Sequence, residues 1–189
     1  MKYLLIGLLV CFTQLSGIGC SLSLSPKEPA LHDFGLPVSI LTYQSKQGNK
    51  PLITVDAPTW LWDNRIRYRP LYASPTRVGF YALDLWIASP PELFEQLLIS
   101  SEKIRNYALI IWLQDFEQQF DAPDKARVLM RFTVEAYAND DNKKVGTKEF
   151  YLERPTTTPD AAGAISGFEN LTRQAADRIQ IWLAGLSAK

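Results

Sequence analysis

Apolar and polar residues alternate most cleanly near the middle of the chain. Val128, Met130, Phe132, Val134 and Ala136 fall on one parity, and Arg127, Leu129, Arg131, Thr133, Glu135 and Tyr137 on the other. A period of two is that of a strand packed on one face, so this stretch is predicted as a strand. Tyr107 to Leu113 is apolar at both parities, the pattern of a strand covered on both faces, and continues through Phe116, Gln118 and Phe120 with polar neighbours. Asp121 to Lys125 has turn composition, Asn139 to Asn142 reads as a hairpin connection, and Val145 to Glu153 as the returning strand. Together these segments predict a three-stranded antiparallel meander.

Upstream, Phe34 to Tyr43 and Pro51 to Val55 read as strands separated by a turn over Gln44 to Lys50. Arg65-Ile66-Arg67-Tyr68-Arg69 alternates charge with apolar or aromatic side chains, so one face of a short strand is basic and the other packed. Val78 to Ile87 is extended again, with Phe80 and Trp86 on one parity and Tyr81, Leu83, Leu85 and Ile87 on the other. Ser89-Pro90-Pro91-Glu92 is a helix start, with Ser at the cap, Pro at the first helical position and Glu three residues after the cap. That helix is expected to run to about Arg105, with Leu93, Phe94, Leu97, Leu98 and Ile104 as its apolar stripe. Thr158-Pro159-Asp160 opens a second helix, along which Ala161, Ala164, Ile165, Phe168, Leu171, Ala175, Ile179, Trp182 and Leu186 trace one face. The expected fold is α+β: an antiparallel sheet with two main helices packed on one face, in the order strands, helix, meander, helix.

The first twenty residues follow another pattern. Met1-Lys2 leads into an apolar run from Tyr3 to Phe12 and then Gly17-Ile18-Gly19-Cys20. A positive start, a short apolar segment and a small-residue cleavage site describe an export signal, because a spanning helix needs about 20 apolar residues. The layout is that of a bacterial lipoprotein signal over residues 1–19, with Cys20 as the lipidated first residue and Gly17 where Leu is usual. Residues 20–30, short, polar and punctuated by Pro26 and Pro29, read as a tether, and 31–189 as a single domain.

Charge and cysteine usage narrow the chemistry. Twenty Lys+Arg balance 20 Asp+Glu, which provides no electrostatic footprint for nucleic acid. Cys11 lies within the leader, so the mature chain keeps only Cys20 and has neither an internal disulfide nor a thiol nucleophile. His32 is the only histidine, which rules out a catalytic triad or a multi-histidine metal site, and no phosphate-binding or zinc-protease motif is present. No catalytic residue, metal or cofactor is expected. Asp84, Asp115 and Glu117 lie on predicted strands and are the only material for a carboxylate hydrolase. Asp115 and Glu117 share a parity that Gln119 continues, so they are read as a solvated strand face.

Trp60-Leu61-Trp62 sits in a segment too short and Pro-bounded to be an ordinary core element, and reads equally as core or as an apolar contact plate. Arg65, Arg67 and Arg69 would rim such a plate. Ala57-Pro58-Thr59-Trp60-Leu61, the Arg65–Arg69 strand, Tyr81 and Trp86 before the capped helix, and the Ile179-Gln180-Ile181-Trp182-Leu183 ending resemble the ABC-type transport auxiliary lipoprotein family. The resemblance runs from about Leu31 to Leu183, with Leu61, Arg69 and Trp86 at matching positions and Trp62 where a polar residue is expected.

The resemblance implies a lipoprotein of the outer membrane, facing the periplasm, that assists passage of phospholipid between envelope membranes. Its implied partners are an MCE-domain protein and ABC transporter components, with the membrane held through Cys20. Ser21 directly after the cysteine fits the outer membrane. Trp60, Leu61, Trp62, Arg65, Arg67, Arg69 and Trp86 are the candidate partner surface, and a homo-oligomer would cover the edges that a meander leaves. The alternatives are a module that itself carries an acyl chain and a carboxylate-dependent envelope hydrolase.

Overall fold

The computed structural model describes residues 27–35, 53–101, 107–139 and 142–187. Outside them lie the leader, Cys20 and the tether to residue 26, the expected strand Phe34–Tyr43 beyond Gly35, the turn expected over Gln44–Lys50, and Asp140-Asp141. Phe34 and Gly35 themselves are not in a strand, Gly35 having a φ of +68°, and the helix expected to reach about Arg105 ends at Ser100 with Ser101 as its cap. In chain order the elements are β1 (Ala30–His32), β2 (Ile53–Asp56), a 3-10 turn (Thr59–Leu61), β3 (Arg65–Pro70) and β4 (Gly79–Trp86). Then follow α1 (Pro90–Ser100), β5 (Tyr107–Ala122), β6 (Lys125–Ala138), β7 (Lys144–Pro155) and α2 (Ala161–Ser187). The fold is α+β, as the periodicities predict.

One seven-stranded sheet has the order β1-β4-β3-β5-β6-β7, with β2 also paired to β5. The β5–β6–β7 meander and the β3–β4 pair are antiparallel. The sheet as a whole is mixed rather than antiparallel, because β1 runs parallel to β4 and both β2 and β3 run parallel to β5. Between β3 and β5 the chain returns through β4, which runs antiparallel to β3, so that β5, entered through α1 at the end where β4 finishes, takes the direction of β2 and β3. Alternation along a strand reports which face is buried and carries no information about direction.

β5 is long enough to take two neighbours in series on one flank. β2 pairs with Leu109 to Trp112 and β3 with Gln118 to Phe120, and between them the chain leaves the ladder through the 3-10 turn. β4 departs from simple alternation as well: Arg65 pairs with Leu85 but Arg67 with Phe80, so two steps along β3 match five along β4. The extra residues put Phe80 in the row of Arg67 and turn Trp86 to the opposite face.

Both helices cover one face. α1 starts as expected, with the Glu92 carboxylate accepting from the Ser89 backbone N–H (2.9 Å) and the Ser89 hydroxyl (2.6 Å). It buries Leu93, Phe94, Leu97 and Leu98, and Phe94 meets Phe132 edge-on at 5.5 Å. α2 lays Ala164, Phe168, Leu171, Ala175, Ile179 and Leu183 into the same core. At its centre Phe116 and Phe168 stack at 4.0 Å, and Trp86 packs edge-on against Phe168 (5.9 Å) and Phe34 (5.1 Å). Gln118, fully buried on this face, accepts from the Tyr81 hydroxyl at 2.6 Å and donates to the Asp160 carbonyl at 3.3 Å, so its amide is satisfied.

Asp160 heads α2, accepting from the Gly163 backbone N–H at 2.9 Å and from the Thr158 hydroxyl at 2.6 Å. A Cβ at Gly163 would collide with the Thr158 carbonyl oxygen. Alanine is the better helix former by about 1 kcal/mol, yet here Gly163→Ala is expected to destabilise. Urea unfolding reads the sign, and a midpoint raised above wild type would show that the Thr158–Asp160 turn opens freely.

Candidate functional site

The face of the sheet away from the helices is where the candidate residues can act. In β3, Ile66 is fully buried in the core, so Arg65, Arg67 and Arg69 point to the helix-free side, as their alternation predicts. There they meet β5. The Arg69 guanidinium grips Glu117 bidentately, Nε to Oε1 at 2.7 Å and Nη2 to Oε2 at 3.0 Å, and donates Nη1 to the Pro75 carbonyl. Arg67 donates Nη1 to the Trp60 carbonyl at 3.2 Å and holds Nη2 3.7 Å from Glu117. Gln119 donates to Glu117, Arg127 donates to Gln119 and pairs with Asp121, and Arg131 pairs with Asp115 at 2.7 Å. Arg65 pairs with Asp63 and lies 3.7 Å over the Phe80 ring.

Glu117 is therefore not part of a solvated row: only 6% of it is exposed. Burial alone would raise its pKa. The hydrogen bonds from Arg69 and Gln119 and the field of Arg69 and Arg67 outweigh that, and its carboxyl is held below the ordinary range. Burial lowers the Arg67 pKa, and the Glu117 hydrogen bond raises that of Arg69. A carboxylate locked in its ionised form by two arginines lacks the raised pKa that a general acid needs, and its neighbour Asp115 is engaged by Arg131. Asp84 accepts from His32 Nε2 at 3.0 Å, which ties β1 to β4. Among the described residues no group of three or more His, Cys, Asp or Glu is placed to hold a metal ion.

The seven candidate surface residues separate into three sets. Trp60 and Trp62 are exposed, at 57% and 44%. Leu61 and Trp86 are not surface residues at all: Leu61 is the inward-pointing residue of the 3-10 turn, and Trp86 is turned into the aromatic core by the irregular β3–β4 register. The three arginines lie beside the plate, but each is engaged with a carboxylate of the chain.

The pattern also missed two residues. Ile110 and Trp112 stand on the helix-free side, 48% and 43% exposed, although Tyr107 to Leu113 reads as covered on both faces. Leu109, Ile111 and Leu113 take the core positions. The signal was present, since two helices expected on one face leave nothing to cover the other. Trp112 pairs with Asp56, and Trp62 folds back to donate its indole N–H to the carbonyl of the next residue, Ala57, at 3.0 Å. The break in the sheet thus ties Trp62 to the end of β2, next to the residue level with Trp112, and the Trp60 backbone to Arg67.

At the β1 edge of the sheet, Leu31, His32, Asp33, Gly35 and Ile87, with Ile165 and Glu169 of α2, line an open groove of about 300 Å³.

No family model and no curated protein sequence matches the chain. Among solved structures, it is similar to protein XCC0632 from Xanthomonas campestris, which carries the family label DUF330: TM-score 0.64 at 16% identity, over 86% of this chain and 95% of that one. A second crystal structure, of an uncharacterized protein, overlays with TM-score 0.62 at 12% identity, over 82% of this chain and 99% of the other. The fold is shared. A third, from Caulobacter crescentus and provisionally described as a lipoprotein, matches 51% of this chain and 85% of its own at 15% identity and TM-score 0.40, too loose an overlay to carry an argument.

Proposed function

We propose that the chain is a non-enzymatic, lipid-anchored auxiliary protein of an ABC/MCE-type phospholipid transport system, held by acylated Cys20 at the outer membrane and facing the periplasm. The observation that carries this reading is the character of the helix-free face. Its arginines are each matched by a carboxylate of the chain, while Trp60, Trp62, Ile110 and Trp112 stand exposed. Such a face is suited to contact rather than to turnover. The lipoprotein layout of residues 1–20 supplies the anchor, and the resemblance along Leu31 to Leu183 supplies the transport context. The acyl-carrier alternative draws less support, because the groove beside His32 is open and carries Asp33 and Glu169 in its lining. The hydrolase alternative loses its acid once Glu117 is held ionised.

The test is purification of the native protein from membranes. Mass spectrometry is expected to find the acyl group on Cys20, and cross-linking before extraction to recover an MCE-domain protein. Repeated recovery of no such protein, with Cys20 acylated, overturns the transport role.

A further inference from the structure

Building on the lipid-anchored reading, we propose that the face bearing Trp60, Trp62, Ile110 and Trp112 seats in the headgroup region of the phospholipid bilayer that holds the chain. Of the five tryptophans, Trp86 is in the core and Trp182 packs edge-on against Phe150 at 6.1 Å. The other three are the exposed ones. Indole is favoured at membrane–water boundaries because an apolar ring carries one polar N–H, so one end can be dry and the other wet.

Charge decides between a membrane and a charged protein epitope. Arg65 is matched by Asp63, Arg67 and Arg69 by Glu117, Arg131 by Asp115, and Arg127 by Asp121 and Glu153. Asp56, level with Trp112, and Glu149, level with Thr133, lie outside these pairs, but with every one of these arginines matched the face presents no cationic patch to an acidic epitope, whereas zwitterionic phospholipid headgroups ask for none.

Chain length agrees. The seven residues from Cys20 to Lys27 span at most about 25 Å when fully extended. They lead to β1, whose Leu31 is level with Leu85 and hence with Arg65, in the outward row of the sheet and 59% exposed. From β1 to β5 is three strand spacings, about 14 Å. These lengths allow an acylated sulfur and the indoles to reach the same membrane surface.

The test uses the acylated protein in vesicles of phosphatidylethanolamine and phosphatidylglycerol, with or without bromine on the acyl chains. Tryptophan emission is expected to fall in the brominated vesicles. The Trp60→Phe/Trp62→Phe/Trp112→Phe variant, which retains Trp86 and Trp182, is expected to lose that quenching; circular dichroism checks its fold, and Trp112→Phe alone, losing part of the effect, serves if the triple variant misfolds. Equal emission in both vesicles, or undiminished quenching in the variants, overturns the proposal. So does a photo-cross-linker at position 112 that labels an envelope protein or a second copy of this chain instead of lipid. A free Cys20 thiol would defeat the anchored reading separately, and quenching of the unacylated chain at high vesicle concentration would still decide the face.

Discussion

Trp86→Ala lowers stability by about 3–5 kcal/mol, the cost of removing a large aromatic from a packed core. Trp86 is 1% exposed and contacts Phe34, Phe116 and Phe168, rings brought from three separate parts of the chain, so alanine leaves a void that no single neighbour can fill. Trp60→Ala, at a residue more than half exposed, changes stability by no more than about 0.5 kcal/mol. Urea unfolding of the two variants measures both, and equal losses would contradict the division between core and surface tryptophans. Since a domain of this kind has only about 5–15 kcal/mol in hand, Trp86→Ala should also reduce the amount of folded protein recovered.

Glu117→Gln is the second large effect, expected at about 3–5 kcal/mol near neutral pH. The side chains of Glu117, Arg67 and Arg69 are 7%, 12% and 23% exposed, so removing the one negative charge leaves two guanidinium groups partly desolvated and facing each other. The substitution keeps shape and removes charge, which isolates the electrostatic part. The pH dependence follows from the direction of the shift. The folded carboxyl titrates below its ordinary value, so its contribution is complete above the unfolded pKa of about 4.3 and disappears as pH falls through the lower folded value. The gap between wild type and variant should be full at pH 7 and close under acid. A gap unchanged between neutral pH and strong acid would show that packing, not charge, sets the effect.

Where an element is decided by neighbours in sequence, its pattern was readable. The Ser89–Glu92 box, the Asp160 start of α2 and the alternation of β6 are local devices and all are present. What the pattern hid was produced by pairing across distance. Glu117 read as solvated because Gln119 continues a polar row, but its burial depends on Arg69, which the parallel β3–β5 pair places level with Gln119. The matching alternations Arg-x-Arg and Asp-x-Glu-x-Gln were the available hint, and without strand direction they could not be joined. Trp60 and Trp86 each stand in apolar surroundings along the chain. Only the irregular register of β4 sends one inward, while the 3-10 turn leaves the other outside.

The three-residue β1 has a mechanical consequence. Tension on the chain before Lys27 loads a short parallel ladder of Ala30, Leu31 and His32 against Asp84, Leu85 and Trp86, assisted by the His32–Asp84 contact. With three registered pairs at the sheet's edge, this ladder is expected to open before the long β5–β6–β7 meander. Phe34, with none of its surface exposed and wedged against Trp86 and Phe116, then acts as a stopper. The segment ahead of Phe34 can thus lengthen by a few residues under load while the rest of the domain stays folded.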